Sequence, residues 1–380
     1  MYFELNDEQR MWQEVVRDFC QNEIKPRAHE TDQEARLPLD LLPKMAELGL
    51  LSLPVPEMDG GAGLDVISIA IAIEELGRAC GSMALSIAAH NGLGVGPIVN
   101  FGSAAQKERY LPMLTGGQYL GALALTEPNS GSDLLNSLRT TARREGDEWV
   151  INGSKAWITN ASLSPTLITL CRTNSEATSR GFDMIIVESD RPGLTINPPE
   201  KKMGLRGSPT HMLTYDEVRV PAENLLGESG RGFYQTMQTL DNGRITIGAM
   251  AVGMAQAALD EARRYAQERF SFGKPIAEHQ AIQFMVADMA TEIEAARLLV
   301  YQAAWLKQEG RDFSKQAAMA KLFASETAER AAFKAIQIHG GYGYSAEFPV
   351  ERIYRDQRLL SIGEGTSEIL RLVIGRRVLQ

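Results

Sequence analysis

Near its C-terminus the chain runs Ser361-Ile-Gly363-Glu364-Gly365-Thr366-Ser367-Glu368, a carboxylate set between two glycines. Glycine on both sides works against a helix through Glu364. It suits a loop presenting one acid, with Thr366 or Ser367 starting the helix that follows. The spacing from Ser361 to Glu364 also mimics a capping box. A carboxylate at a helix start beside a bound cofactor can act as a general base; a solvated loop fits the same residues.

Other segments offer binding groups. Thr126-Glu-Pro-Asn-Ser-Gly-Ser132-Asp133 carries hydroxyls and a glycine that can present N–H and O–H groups to a flavin ring or a phosphate. The same residues also make an ordinary turn. In Ala156-Trp157-Ile158-Thr159-Asn160 an indole and a hydroxyl can wall and hydrogen-bond a planar heterocycle, or Trp157 simply fills a sheet face. Arg269-Phe-Ser-Phe272-Gly-Lys274-Pro275 places an arginine suited to bidentate phosphate contact, or a plain helix connector. Gly341-Tyr-Gly343-Tyr-Ser-Ala346 fits the loose dinucleotide fingerprint, but it follows a helical run where that chemistry needs a strand.

Several chemistries are disfavoured. Cys20, Cys80 and Cys171 are far apart with no CxxC pair, and the five histidines are scattered without an HxxxH, so no metal is expected. A formal charge of −9 is a poor match for nucleic acid or an anionic membrane. No basic and apolar leader opens the chain and no stretch is long enough to span a bilayer, so a soluble, cytoplasmic protein is expected.

The elements that must position these groups change texture twice. Residues 1–120 read as a helical domain, with Val66 to Leu76 a deeply buried helix. Residues 121–231 read as a β-domain, barrel- or sandwich-like. There Trp149 to Ile151 and Ala156 to Ile158 form two strands around an Asn152-Gly153 hairpin turn, followed by strands over Leu167 to Cys171 and Met184 to Val187. In residues 232–380 helices return as a bundle. Ile282, Val286, Met289, Ile293, Ala296, Val300 and Ala303 make an apolar stripe, Phe313 to Ile338 repeats the texture, and Ile369 to Val378 adds a last short helix. The fold class is α+β multidomain.

Together the segments resemble the acyl-CoA dehydrogenase family over almost the whole chain. Gln337-Ile-His-Gly340-Gly341-Tyr-Gly343-Tyr344, continuing to Glu347, Arg352 and Asp356, resembles that family's C-terminal pattern, and Ala124 through Asp133 its N-terminal one. Asn136 departs from the small residue usual there. Trp157-Ile-Thr159, Arg269 to Lys274, His279-Gln280 and Glu364-Gly-Thr366 recur in the family order.

The resemblance implies a helical N-terminal domain, a central β-domain and a C-terminal four-helix bundle. It also implies non-covalent FAD and a homotetramer built as a dimer of dimers. Leu123, Thr126, Ser132, Trp157 and Thr159 would contact the flavin region, and Arg269, Phe272, Gln280, Gln337 and Gly341 would reach the FAD of a neighbouring subunit. Thr366 and Glu368 would hold its diphosphate-ribose side. Ser132, Asp241, Arg244 and Gly363 would meet the acyl-CoA.

The implied reaction is α,β-dehydrogenation to the trans-2-enoyl-CoA in fatty acid β-oxidation. Glu364 would take the α-proton, the flavin would accept the β-hydride, and electrons would pass to an electron-transferring flavoprotein. Some relatives carry the base at the position of Gly243, so Glu364 has no rival here. An oxygen-reactive oxidase and a non-catalytic scaffold of the same fold are the alternatives. Many relatives carry a bulky aromatic where this chain has Gly363, and no Lys or Arg occurs from Ala79 through Ala105. A neutral short- to medium-chain acyl group, with branching near the thioester tolerated, is the expected substrate.

Overall fold

The computed structural model describes residues 4–175 and 178–380. Helices come first: α1 (Asp7–Phe19), α2 (Ala28–Gln33), α3 (Leu42–Glu47), α4 (Val66–Ala79), α5 (Gly81–Ala89), α6 (Gly96–Phe101) and α7 (Ala104–Thr115). Their starts follow from side-chain chemistry. Asn6 and Gln9 close a capping box on α1, and Asp65 Oδ1 accepts the Ser68 N–H of α4 at 2.6 Å. As the sequence suggested, α4 is buried along most of its length. A π-helical turn, His90–Val95, joins α5 to α6; such widened turns are frequent at functional sites.

The middle of the chain is a curled seven-stranded sheet. Its strands are β1 (Ala122–Ala124), β2 (Thr141–Glu145), β3 (Glu148–Thr159), β4 (Thr166–Arg172), β5 (Phe182–Glu188), β6 (Leu194–Pro199) and β7 (Thr210–Pro221). They run in the order β1-β4-β2-β3-β7-β6, with β5 paired to β4. β4 and β5 are apolar on both faces because each face has its own core. Ile168, Leu170, Phe182, Met184 and Ile186 face helical residues such as Ile98, Tyr110 and Leu114. Leu167, Cys171, Ile185 and Val187 face Ile151, Leu213 and Val218 inside the curl.

The hairpin expected at Asn152-Gly153 is not there. β3 runs unbroken through both residues, and the two-residue turn lies at Gly146-Asp147, between paired Glu145 and Glu148. Asn152-Gly153 forms an irregularity in the β3–β7 ladder instead. Asn152 Oδ1 accepts the Glu217 N–H there at 2.9 Å, and a Cβ on Gly153 would come 2.7 Å from Thr140 Cα.

After the short α8 (Leu134–Ser137), the C-terminal bundle begins with α9 (Gly232–Glu268), 37 residues and so about 55 Å long. A small hairpin of β8 (Phe270–Ser271) and β9 (Lys274–Pro275) leads to α10 (Gln280–Gln308) and α11 (Ser314–His339). Then come α12 (Pro349–Gln357) and α13 (Ser367–Leu379), the latter packed on α11. Met289, Ile293, Ala296, Val300 and Ala303 of the expected stripe are buried. α4 crosses α9 closely because both carry glycine at the contact: a Cβ on Gly77 would lie 2.6 Å from the Met250 carbonyl oxygen. The glycines of 340–344 cap α11 as a 3₁₀ turn after a helix, with no strand before them. Among the described residues no helix is long and apolar enough to cross a membrane.

Candidate active site

Glu364 stands at the junction of α9, α11 and the turn before α13. After α12 the chain tightens into a 3₁₀ turn, Arg358–Ser361. Ser361 caps nothing there; its hydroxyl bonds back to the Arg358 carbonyl at 3.3 Å. The cap of α13 is Thr366, whose Oγ1 accepts the Ile369 N–H at 3.3 Å, in line with the sequence. Between them Glu364 and Gly365 both adopt left-handed backbone, φ 51° and 102°. For a glutamate that conformation is strained.

The strain is associated with a specific placement. Glu364 Oε2 is shielded from solvent, has no hydrogen-bond partner among the described residues, and lies against α9 where a Cβ on Gly243 would collide with it. Any side chain at residue 243 would push the carboxylate away. Burial drives the Glu364 carboxyl up to about 7, opposed by the charges of Lys321 and Arg244. Arg244 is 6 % exposed and paired with Asp241 one helical turn away, so its charge is held beside the acid. Lys321, on α11, is fully buried and donates from Nζ to the Gly365 carbonyl at 2.6 Å. A shielded carboxyl with an unpartnered oxygen and a pKa near neutrality is matched to abstracting a proton near pH 7.

A second group gathers where β1 meets β3. The Ala156 N–H bonds the Thr126 carbonyl at 2.8 Å, setting Leu123 and Thr126 beside Trp157 and Thr159. Between Lys155 and Ile158, β3 takes three steps while β7 takes two, and this bulge re-aims Trp157. Its backbone is left-handed (φ 62°) and its indole is 60 % exposed. An outward, strained tryptophan beside two threonines fits a planar ring better than it fits core filling.

The 126–133 loop is pinned from below. Glu127 accepts the N–H groups of Arg139 and Thr140 at 2.7 and 2.8 Å, and the buried Lys155 ammonium at 3.0 Å. Ser132 is exposed on this loop. Asn136, the odd residue in the pattern, sits in α8, where its side chain joins the Asp133 cap at 2.8 Å.

The third group is at the far end of the bundle. Phe272 occupies the tip of the β8–β9 hairpin in left-handed backbone, 94 % exposed. Arg269 lies over the Tyr342 ring at 5.9 Å, at the end of α11 where Gln337 and Gly341 are exposed, and Gln280 is exposed at the start of α10. Gln337 is sixteen residues beyond Lys321 on α11, about 24 Å along the axis. Within one chain, then, these residues do not join Glu364. Thr366 does, being two residues away, and Glu368 is exposed on the first turn of α13.

Lys321 and Lys155 belong to no motif in the sequence, and Glu127 stands out there only as a member of the 124–133 pattern. A signal for Lys321 was there: it falls on the same face of α11 as the buried Ala317, Ala324 and Ala328, the one charged residue among them.

Residues 6–118, 122–218 and 230–379 match, in turn, the N-terminal, middle and C-terminal domain models of acyl-CoA dehydrogenases. A probable acyl-CoA dehydrogenase of Bacillus subtilis is 53% identical over the full length of both chains. The mitochondrial short-chain specific acyl-CoA dehydrogenase of Mus musculus is 47% identical over 99% of this chain and 91% of its own. The solved butyryl-CoA dehydrogenase of Megasphaera elsdenii superposes with a TM-score of 0.97 at 41% identity, with all of both chains covered. A chain solved in work on the electron-transferring flavoprotein of Acidaminococcus fermentans gives 0.98 at 41%, again over all of both. An acyl-CoA dehydrogenase of Bacillus anthracis, solved with FAD, gives 0.92 at 38% over 99% of this chain and 67% of that one. With three domain models covering nearly every residue and relatives this similar from end to end, the chain belongs to the acyl-CoA dehydrogenase family.

Proposed function

We propose that this enzyme desaturates the α,β-bond of a short- to medium-chain acyl-CoA, with Glu364 as the base and an electron-transferring flavoprotein as the acceptor. The observation that carries the reading is the shielded, unpartnered Glu364 oxygen over Gly243, in a carboxyl pushed up to about 7.

The cofactor is FAD, and the residues present suit it. An exposed indole and two threonines offer a wall and hydrogen-bond partners to a flat heterocycle, and Arg269 is solvent-exposed for a diphosphate. FAD supplies the two-electron acceptor for the β-hydrogen. The protein's own part is to hold the acyl chain between the Trp157 edge and α9, exclude water, and present Glu364 ionised to the α-carbon. Donors to the thioester oxygen stabilise the enolate that develops there. The lining of α4–α6 carries no free cation from Ala79 through Ala105. A second carboxylate on the substrate would be buried there without a partner, a costly arrangement.

We further propose a division at 1–120, 121–231 and 232–380, and a homotetramer in which the Arg269 group of one chain completes the cofactor site of another. The separation of that group from Glu364 along α11 supports this arrangement.

Glu364→Gln tests the core of the reading. The variant keeps its fold, its FAD and butyryl-CoA binding, but loses at least about two orders of magnitude in the rate of anaerobic flavin bleaching. Bleaching at the wild-type rate would remove Glu364 from the mechanism.

A further inference from the structure

Lys321 is a buried cation with no carboxylate ion pair among the described residues. It is fully buried on α11, flanked on its own face by Ala317 and Ala324, and α9 passes close enough that a Cβ on Gly248 would lie 3.6 Å from its Cα. An ammonium in such surroundings is destabilising unless something there needs it. Its one hydrogen bond among the described residues runs to the carbonyl of Gly365, at 2.6 Å. That carbonyl belongs to the residue directly after Glu364, within the left-handed pair that turns the acid back onto Gly243.

We propose that Lys321 is the positioning residue of the base, a cation that clamps the Glu364-Gly365 turn and stabilises the ionised carboxylate. The proposal rests on reading Glu364 as the base. Two effects follow from one group. The clamp opposes relaxation of Glu364 to ordinary backbone, which would carry the carboxylate off α9. The charge, unneutralised by an ion pair among the described residues, acts on the acid directly. The groups facing Glu364 are Lys321 from α11 and Arg244 from α9. Arg244 is already paired to Asp241, which leaves Lys321 as the uncommitted charge. Burial holds the Lys321 amine down to about 8, still mostly protonated near neutrality.

A purely structural lysine and a positioning one differ in what their loss changes. In the FAD-loaded enzyme, Lys321→Met and Lys321→Arg are compared with wild type by anaerobic bleaching with butyryl-CoA, from about pH 5.5 to about pH 9. In Lys321→Met the acidic limb moves up by about one unit, and the rate at about pH 6 falls about tenfold. FAD content and butyryl-CoA affinity stay within about twofold, and Lys321→Arg returns the limb toward wild type.

The second readout needs no turnover. In the substrate-free protein, Glu364 is titrated by infrared difference with ¹³C-glutamate, its band identified by its loss in Glu364→Gln. The band titrates at higher pH in Lys321→Met. Should that variant fail to fold, Lys321→Gln, which keeps a donor without the charge, takes its place. An unchanged band and an unchanged pH profile overturn the proposal. Full bleaching by Glu364→Gln instead overturns the reading of the base, while the infrared titration still decides whether Lys321 controls that carboxyl.

Discussion

Gly363 and Gly365 flank the same glutamate for different reasons. Gly365 has φ 102°, a backbone that side chains rarely adopt. Gly363 is not in that region, and the nearest atoms to a Cβ there would be those of Leu359, at an ordinary 3.6 Å. The loop does not require a glycine at residue 363, which fits the proposal that its missing side chain leaves room for the substrate. Gly363→Tyr is therefore expected to fold and bind FAD. It lowers kcat/KM for 2-methyl-branched acyl-CoAs by well over about tenfold relative to straight chains. Equal losses on both substrates, or a wild-type preference for glutaryl-CoA, would defeat the steric argument.

At the scale of elements, the 126–133 loop depends on a charge buried beneath it. Glu127 and Lys155 pair inside the sheet, and Lys155 also donates to the Leu125 carbonyl at 3.1 Å. Removing one member leaves the other without its compensating charge. Lys155→Met should destabilise the protein by about 3 kcal/mol in urea melts and lower the flavin bound per chain. Adding Glu127→Gln recovers part of the stability. A Lys155→Met protein with wild-type melting and full flavin would show that the loop holds its shape without the pair.

Much of this architecture was legible in the residues, because long helices and two-sided strands announce themselves by period. The α9–α11 block and the β4–β5 runs fall where the apolar patterns lie. Asn152-Gly153 misled because its local turn preference was outweighed by distant pairing: β3 and β7 are twelve residues each and stay zipped across it. Ser361 misled for a related reason, since the helix it was spaced to cap begins later, at Ser367. Lys321 and Lys155 are harder cases. Their roles depend on what they meet across the fold, a carbonyl 44 residues away and a carboxylate 28 residues away, and no periodicity within one element reports that.

At the scale of the whole molecule, a group of exposed aromatic side chains lies at one end of the bundle. Phe270, Phe272, Tyr342 and Tyr344 are largely open there, with Phe284 on α10 and Phe333 on α11. Surface of this kind marks an association face, and it surrounds Arg269. Arg269→Ala is expected to release FAD and to lower the melting temperature together, because a cofactor that binds only the folded state stabilises it by mass action. A monomer at micromolar concentration that keeps all its FAD would contradict shared sites.

The spacing of Glu364 and Arg269 at separate stations of the bundle has a consequence in genetics. If each pocket draws its acid from one subunit and its arginine from the neighbour, lesions at the two stations lie in trans. Coexpressed Glu364→Gln and Arg269→Ala chains, each inactive alone, then assemble mixed pairs in which one pocket inherits both defects and its twin inherits neither. Two null alleles rescue one another. The regained activity should scale with the share of mixed assemblies, and a cell carrying both substitutions on one chain should show no such recovery.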